Sequence, residues 1–422
     1  MLLNKKELLK SLKVAKKYAE KKAQDKITAN IFFIQEDGEL MLKASNGEIG
    51  ISIDLGVVEN AINFDVNLLE LLDFVAICND DNISFDVHGN DVHISSGASN
   101  IILNMFEVNE KTIENYMQDE LKNSSVAKII KENIEINENI FKSIDRYNPK
   151  IELNGMLLDL KNKKIVSTDT RRMSINSIDI DYKGLMDEVI IPRAALQDVK
   201  SISDIKISQN YISFKADDKI ITTRQIIGEY PSYDRIISFD YNFKIMVNGL
   251  ELKNYLKKIK DNDIVLHFIN NAMTIKTSNG GSFNMECYYP SNNEFIFSCD
   301  KRYLSDSILV NEIQICINDS NLPFTIEQNG GKQQTVIMPI RDAYDCATQS
   351  IKRDFIENSY KFTYKEIIKK RKSPVNKDKI IRDLKSEILQ LQEKLKKYED
   401  KNSVVKSEIF NNIFNNCKSI GA

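Results

Sequence analysis

Four groups of side chains in this 422-residue chain are of types that do chemistry. "DVHGNDVH" sets His88 and His93 five apart, a spacing that superficially suggests a metal. On alternating strands they read instead as residues flanking a β-hairpin turn, so no metal ligand is expected. "STDTRRMS" places Asp169 beside Arg171 and Arg172. A nuclease would need further carboxylates at useful spacing to hold metal ions, and none accompanies Asp169. Six cysteines, Cys78, Cys287, Cys299, Cys316, Cys346 and Cys417, contain no CxxC pair. That scatter suits a reducing cytosol and neither a disulfide framework nor a zinc site. No Gly-rich GK[ST] loop is present to cradle a nucleotide. The expectation is no catalytic residue, no metal and no cofactor.

The fourth group is basic. In "NKKELLKSLKVAKKYAEKKAQ", Leu8, Leu12, Ala15 and Ala19 recur at helical spacing, and Lys6, Lys10, Lys13 and Lys17 form a second stripe. A lysine stripe alone is either a solvated helix face or a phosphate-facing surface. The charge distribution gives it context. From Asp342 onward there are 18 Lys and Arg against 12 Asp and Glu, a balance of +6, leaving 40 against 49 in residues 1–341, a balance of −9. An acidic body does not coat itself with nucleic acid, so any DNA contact must come from a local basic surface. No apolar run approaches 18 residues and the N-terminus lacks a signal-peptide core, so a soluble, cytoplasmic protein without membrane partners is expected.

These residues sit in a pattern that occurs three times. "NIFFIQEDGELMLKASNGEIGISI", "NGMLLDLKNKKIVSTDTRRMSINSI" and "IVLHFINNAMTIKTSNGGSFNMEC" share alternating strands around a polar turn. Each runs on into a strand and helix, "AINFDVNLLELLDFV", "VIIPRAALQDVKSI" and "EFIFSCDKRYLSDSIL", and then into a hairpin pair. A further helix precedes each unit: residues about 5–22, "NENIFKSIDRYN" and "NGLELKNYLKKIK". The expected fold class is α+β: three tandem domains, 1–120, 121–240 and 241–341, each an antiparallel sheet carrying two helices.

With "VIIPRAAL", "STDTRRMS", "GEYPSYDRII" and the closing "VIMPIR", residues 1–341 resemble the bacterial DNA polymerase β sliding clamp. The resemblance implies a head-to-tail homodimeric ring of six domains, with helices lining the hole and sheet outside. An ATP-dependent clamp loader closes such a ring around double-stranded DNA, where it tethers the replicative polymerase and other proteins through short peptide motifs. It is non-catalytic. Phosphate-directed, sequence-independent contacts suit sliding. By resemblance, Lys22 and Lys150 join the DNA-contacting lysines; the aromatic pair expected after Lys150 is replaced by Ile151 and Glu152. The alternative is a clamp-derived scaffold whose tail recruits or excludes partners, with DNA sliding secondary.

The resemblance also implies a partner-peptide pocket. The second domain contributes Leu153, Thr168, Thr170, Arg171, Arg172 and Met173, and the connector Pro231, Arg235 and Ile236. The third domain contributes Tyr303, Pro323, Val336, Met338, Pro339, Ile340 and Arg341. The chemistry is an apolar slot rimmed by arginines. Thr170-Arg171 stands where the family places Gly-His, and Pro323 where it has a small polar residue, which points to an altered partner preference. At the subunit interface, the edge strand "SNIILNM" is expected to set Ile101 and Leu103 against Leu256 and Ile259.

Beyond Arg341 the chain continues as a basic connector, 342–376, broken at Pro374. Over 377–401, Ile381, Leu384, Ile388, Leu391, Leu395 and Tyr398 step by three and four. That is either a short coiled-coil seam or a single solvated helix. The final 402–422 places Ile409-Phe410 and Ile413-Phe414 on a polar background.

Overall fold

The structure is a computed structural model that describes residues 1–19, 26–105, 125–129, 133–237, 241–277, 280–289, 291 and 294–340. Met1–Ala347 is one compact unit. Lys22, Arg341, the connector 342–376, the heptad segment 377–401 and the terminal 402–422 lie outside the described residues.

A strand–Asn–helix junction is used three times. Asn4, Asn67 and Asn248 cap the helices Lys5–Ala15, Leu68–Ile77 and Gly249–Lys258, their side-chain oxygens accepting from first-turn backbone N–H groups. A glutamate follows each Asn by three residues, Glu7, Glu70 and Glu251, where it favours the positive end of the helix dipole. The first helix buries Leu8, Leu12 and Ala15 as its spacing requires. It ends at Ala15, short of residue 22, so Lys16 and Lys17 lie in the turns beyond it.

The second repeat departs from the expected helix pair. "RAALQDVKSI" makes only a 3₁₀ turn, Arg193–Leu196, and Ser201–Ile207 is already strand. Asp198 sits at φ 62°, a left-handed conformation that ends the turn. The preceding helix is just Glu138–Ser143; Arg193 lies over the Phe141 ring at 4.0 Å and donates to the Ile144 carbonyl at 2.7 Å, closing that helix end.

Two of the three sheets are shared between repeats. The first and second repeats each split their strands between two sheets, and the third places all of its strands in one. The first keeps a 4-stranded sheet to itself, Leu2–Asn4, Asn82–His88, Asp91–Ser96 and Ser99–Asn104. Its other strands join the second repeat in a 10-stranded sheet through Ile49–Asp54 and Lys219–Arg224, in register at Ile51 and Ile221. The second and third share a 12-stranded sheet through Arg172–Ser177 and Gln333–Ile337, in register at Met173 and Val336. Aromatic side chains tie the two sheets of a repeat: Phe33 stacks on Phe64 at 4.5 Å, and Phe85 from the opposite sheet closes the cluster. His88 and His93 flank the 82–96 hairpin, rings edge to face at 4.8 Å. Among the described residues no group of side chains is arranged to hold a metal, and no helix is long and apolar enough to cross a membrane.

Candidate peptide-binding site

The seam between the second and third repeats leaves a cleft, and its geometry starts from one turn. Between the strands Lys164–Thr168 and Arg172–Ser177, Asp169 Oδ1 accepts from the backbone N–H of Arg171 at 3.0 Å and of Arg172 at 2.9 Å. Thr168 Oγ1 donates to the Arg172 carbonyl at 2.7 Å and accepts from Thr170 N–H at 3.1 Å. Thr170 is held at φ 71°, an uncommon and strained conformation for a β-branched residue. The third repeat then docks on this turn, with Met338 N–H donating to the Arg171 carbonyl at 2.9 Å.

Arg172 is the hub of the seam. Its buried guanidinium donates to Asp169 at 3.0 Å, to Asp306 of the third repeat at 2.8 Å and to the Lys142 carbonyl at 2.7 Å. The Tyr303 ring lies beneath it at 4.6 Å. Lys142 pairs with the other oxygen of Asp306 at 2.7 Å and with Glu138 at 2.6 Å. Burial lowers the Lys142 ammonium pKa, but the hydrogen bonds and charges of Asp306 and Glu138 outweigh it and raise it above the ordinary lysine value.

Two further segments complete the walls. The connector is pinned by buried Tyr230, Tyr233 and Ile237, with the Tyr233 hydroxyl donating to buried Asp159 at 2.7 Å. Burial first, then that contact, pushes the Tyr233 phenol well above its usual pKa. Pinned this way, the connector presents Pro231 and Ile236 to the cleft. On the other side Leu153 sits in the 3₁₀ turn Ile151–Asn154. Asn154 bonds the backbone of Asn148 in both directions, at 2.8 and 3.1 Å, and so fixes the loop that carries Pro149 and Lys150.

The resulting cleft is about 450 Å³, with Leu153, Met173 and Val336 buried in its floor and Ile236 and Met338 exposed on its rim. Ten of the pocket residues expected from sequence meet there: Leu153, Thr168, Thr170, Arg171, Arg172, Met173, Pro231, Ile236, Val336 and Met338. Tyr303 does not line it but supports Arg172. Arg235 is exposed, and Pro323, Pro339 and Ile340 are half-buried; none of the four lines the cleft. Asn148 and Pro149, absent from the sequence expectation, do line it, and so does Lys150, which was expected among DNA contacts. Asp306 and Lys142 were also missed; 134 and 164 residues separate Asp306 from Arg172 and Lys142.

Lys6, Lys10, Lys13 and Lys17 are all exposed. Lys17 is ion-paired with Asp198 of the second repeat, so part of its charge is compensated. Ser99–Asn104, expected from sequence to face a second subunit, is the outer strand of the 4-stranded sheet among the described residues. The expected side chains need correction: Leu103, Leu256 and Ile259 are buried in the cores of their own repeats and Ile101 is half-buried. Strand alternation turns Ile102 outward instead, 56% exposed.

Two family models match successive parts of the chain: the DNA polymerase III beta subunit N-terminal domain over residues 1–116, and its central domain over residues 121–232. The chain belongs to the DNA polymerase III beta sliding clamp family. Beta sliding clamps of Buchnera aphidicola and Helicobacter pylori are 25% and 23% identical to it over 270 and 273 residues, 60% of this chain and 72% and 71% of theirs. Among solved structures, the H. pylori beta clamp bound to a DNA ligase peptide superposes with a TM-score of 0.69 at 21% identity, covering 81% of this chain and 99% of that one. The Pseudomonas aeruginosa sliding clamp bound to griselimycin gives 0.66 at 17%, with the same coverage. This clamp is thus a non-catalytic processivity subunit.

Proposed function

We propose that this clamp closes as a homodimeric ring around duplex DNA in the bacterial cytoplasm, is placed there by an ATP-dependent loader, and holds the replicative polymerase and other proteins by short peptides in the cleft. The cleft carries the reading: an apolar floor of Leu153, Met173 and Val336 between two repeats, open on one side and rimmed by cations. Such a trough suits a few apolar peptide anchors, and its two methionines adapt to different ones. A relative of the same fold is bound to a DNA ligase peptide, which fits the assignment. The N-terminal lysines Lys6, Lys10, Lys13 and Lys17, with Lys22 beyond them in sequence, supply a local phosphate-attracting surface on a body of net charge −9. Three domains, with boundaries near 120, 240 and 341, account for the repeated elements. The edge of Ser99–Asn104, unpaired among the described residues, gives ring closure a physical reason, because an open edge strand invites uncontrolled pairing.

The test is retention on circular DNA. Loaded onto a nicked plasmid, the clamp should stay bound through gel filtration and fall off when the plasmid is linearised. A protein that stays monomeric at all concentrations, and leaves circles and linear DNA equally fast, would refute the ring.

A further inference from the structure

We propose that the exposed face of the third repeat carries a second docking surface, for an arginine-bearing segment of a partner protein, held by Tyr288, Met246, Glu286 and Glu312. This surface is separate from the cleft and does not depend on what fills it.

The 12-stranded sheet turns one face to the core of the third repeat, through Ile245, Val247, Ile313 and Ile315. Alternation points the intervening residues the other way. Met246 pairs in register with Tyr288 on one side and with Gln314 on the other, and Gln314 pairs with Glu327. These four side chains form one row across four strands. Gln314 Nε2 donates to Met246 Sδ at 3.3 Å, which holds the thioether in the row. Met246 is 38% and Tyr288 61% exposed. Two adjoining cavities of about 770 and 530 Å³ run along the row and share Met246 and Glu312. The left-handed turns at Asn270–Asn271 and Asn329–Gly331 line one cavity each.

A lone exposed methionine or tyrosine asks for no explanation, but these two stand beside carboxylates. Glu286 and Glu312 lie two residues along their strands from Tyr288 and Gln314, on the same face, and both are exposed. Neither has an ion-pair partner among the described residues. Glu327, by contrast, pairs with Lys244 at 3.9 Å and accepts from Gln334 at 3.0 Å. The open part of the row is thus an exposed ring and a thioether flanked by two uncompensated carboxylates. Arginine fits that set, because its guanidinium lies flat on a ring while its N–H groups reach carboxylates. An adjoining apolar side chain packs on Met246, whose thioether adapts to its shape. Nucleic-acid phosphate is repelled by the two glutamates. The surface also shares its face with the cleft: Lys244, Cys316, Thr325 and Val336 are paired in register, and Val336 lies in the cleft floor. Four strand spacings, about 19 Å, separate the strand of Val336 from that of Tyr288, so one partner can reach both.

The experiment uses the full chain and two fluorescein-labelled decapeptides on a glycine-serine background. One carries two arginines beside a leucine, and the other has glutamine in place of each arginine. In 50 mM salt the arginine peptide should bind about tenfold tighter by fluorescence anisotropy. E286Q/E312Q should weaken it about fivefold, and Tyr288→Ala about threefold. The charge-matched control E39Q/E59Q, which removes two exposed glutamates of the first repeat, should change its affinity by less than about 1.5-fold. All four glutamates are exposed, so unchanged melting curves will show that both double variants fold. Equal weakening by both double variants would mean diffuse attraction to an acidic body and would overturn the site. Equal affinities of the two peptides in wild type would overturn it as well. Weakening by Met338→Ala, with E286Q/E312Q silent, would place the peptide in the cleft and refute the second surface. If E286Q/E312Q shifts the sedimentation of the full chain while peptide affinity holds, the face is a contact between copies and the proposal fails.

Discussion

Two seams join the three repeats of this clamp, and their backbones are made the same way: one strand of each repeat pairs antiparallel with one of the next. Their fillings differ. At the first seam the apolar cores run together, with Ile51, Ile53, Phe214 and Ile221 in one continuous cluster. At the second the third repeat keeps its own core, and a small cluster around Leu153, Met173 and Val336 stays open to the cleft. The opposite face of that second seam is polar. Ser174 lies 2.8 Å from Ser143 and donates to the Asn139 carbonyl at 3.2 Å, and Ser167 donates to the Ile140 carbonyl at 2.8 Å. Hydrogen bonds and the Arg172 hub fix that seam by direction, not by apolar fill. One joint is therefore purely structural, whereas the other keeps apolar surface uncovered without coming apart.

The largest test of that contrast is Arg172→Ala. It strands Asp169 and Asp306 at a partly buried seam and should cost about 3 kcal/mol in denaturant unfolding, with peptide binding lost. Ile51→Ala should cost a similar amount, about 2–4 kcal/mol by cavity formation at the first seam, yet leave peptide affinity intact at temperatures where the protein is folded. A matching loss of affinity would mean that the seams are not independent. Met338→Ala removes an exposed rim group, so melting should hardly move while anisotropy shows peptide affinity falling about tenfold. The smallest effect is expected for Thr170→Gly. Releasing a β-branched residue from φ 71° should raise stability by about 0.5–1 kcal/mol, less what glycine gives back in unfolded-chain entropy.

Local patterns made much of this legible in the sequence. Helical spacing of Leu8, Leu12 and Ala15 gave the first helix its buried face, and the motifs around Thr168–Met173 and Val336–Met338 held most of the cleft. Long-range electrostatics were hidden, because nothing near Asp306 marks it as the partner of Arg172 in another repeat. Lys150 reaches the cleft through a loop that Asn154 folds back, which spacing alone does not encode. Strand parity at the edge was misread for the same reason: "NIILN" is apolar on both faces, so the pattern could not say whether Ile102 or Leu103 points out. In the second repeat, "RAALQDVKSI" has enough helix-forming residues to look like a helix, but Asp198 and the strand beginning at Ser201 cut it to one turn.

The central claim is that the second seam is the docking joint, and a crystal structure of the full chain with a short peptide from a clamp-binding partner tests it most directly. The expected result is the peptide's apolar anchors lying over Leu153, Met173, Val336 and Met338. A peptide bound elsewhere, with the cleft empty at saturating concentration, would contradict it.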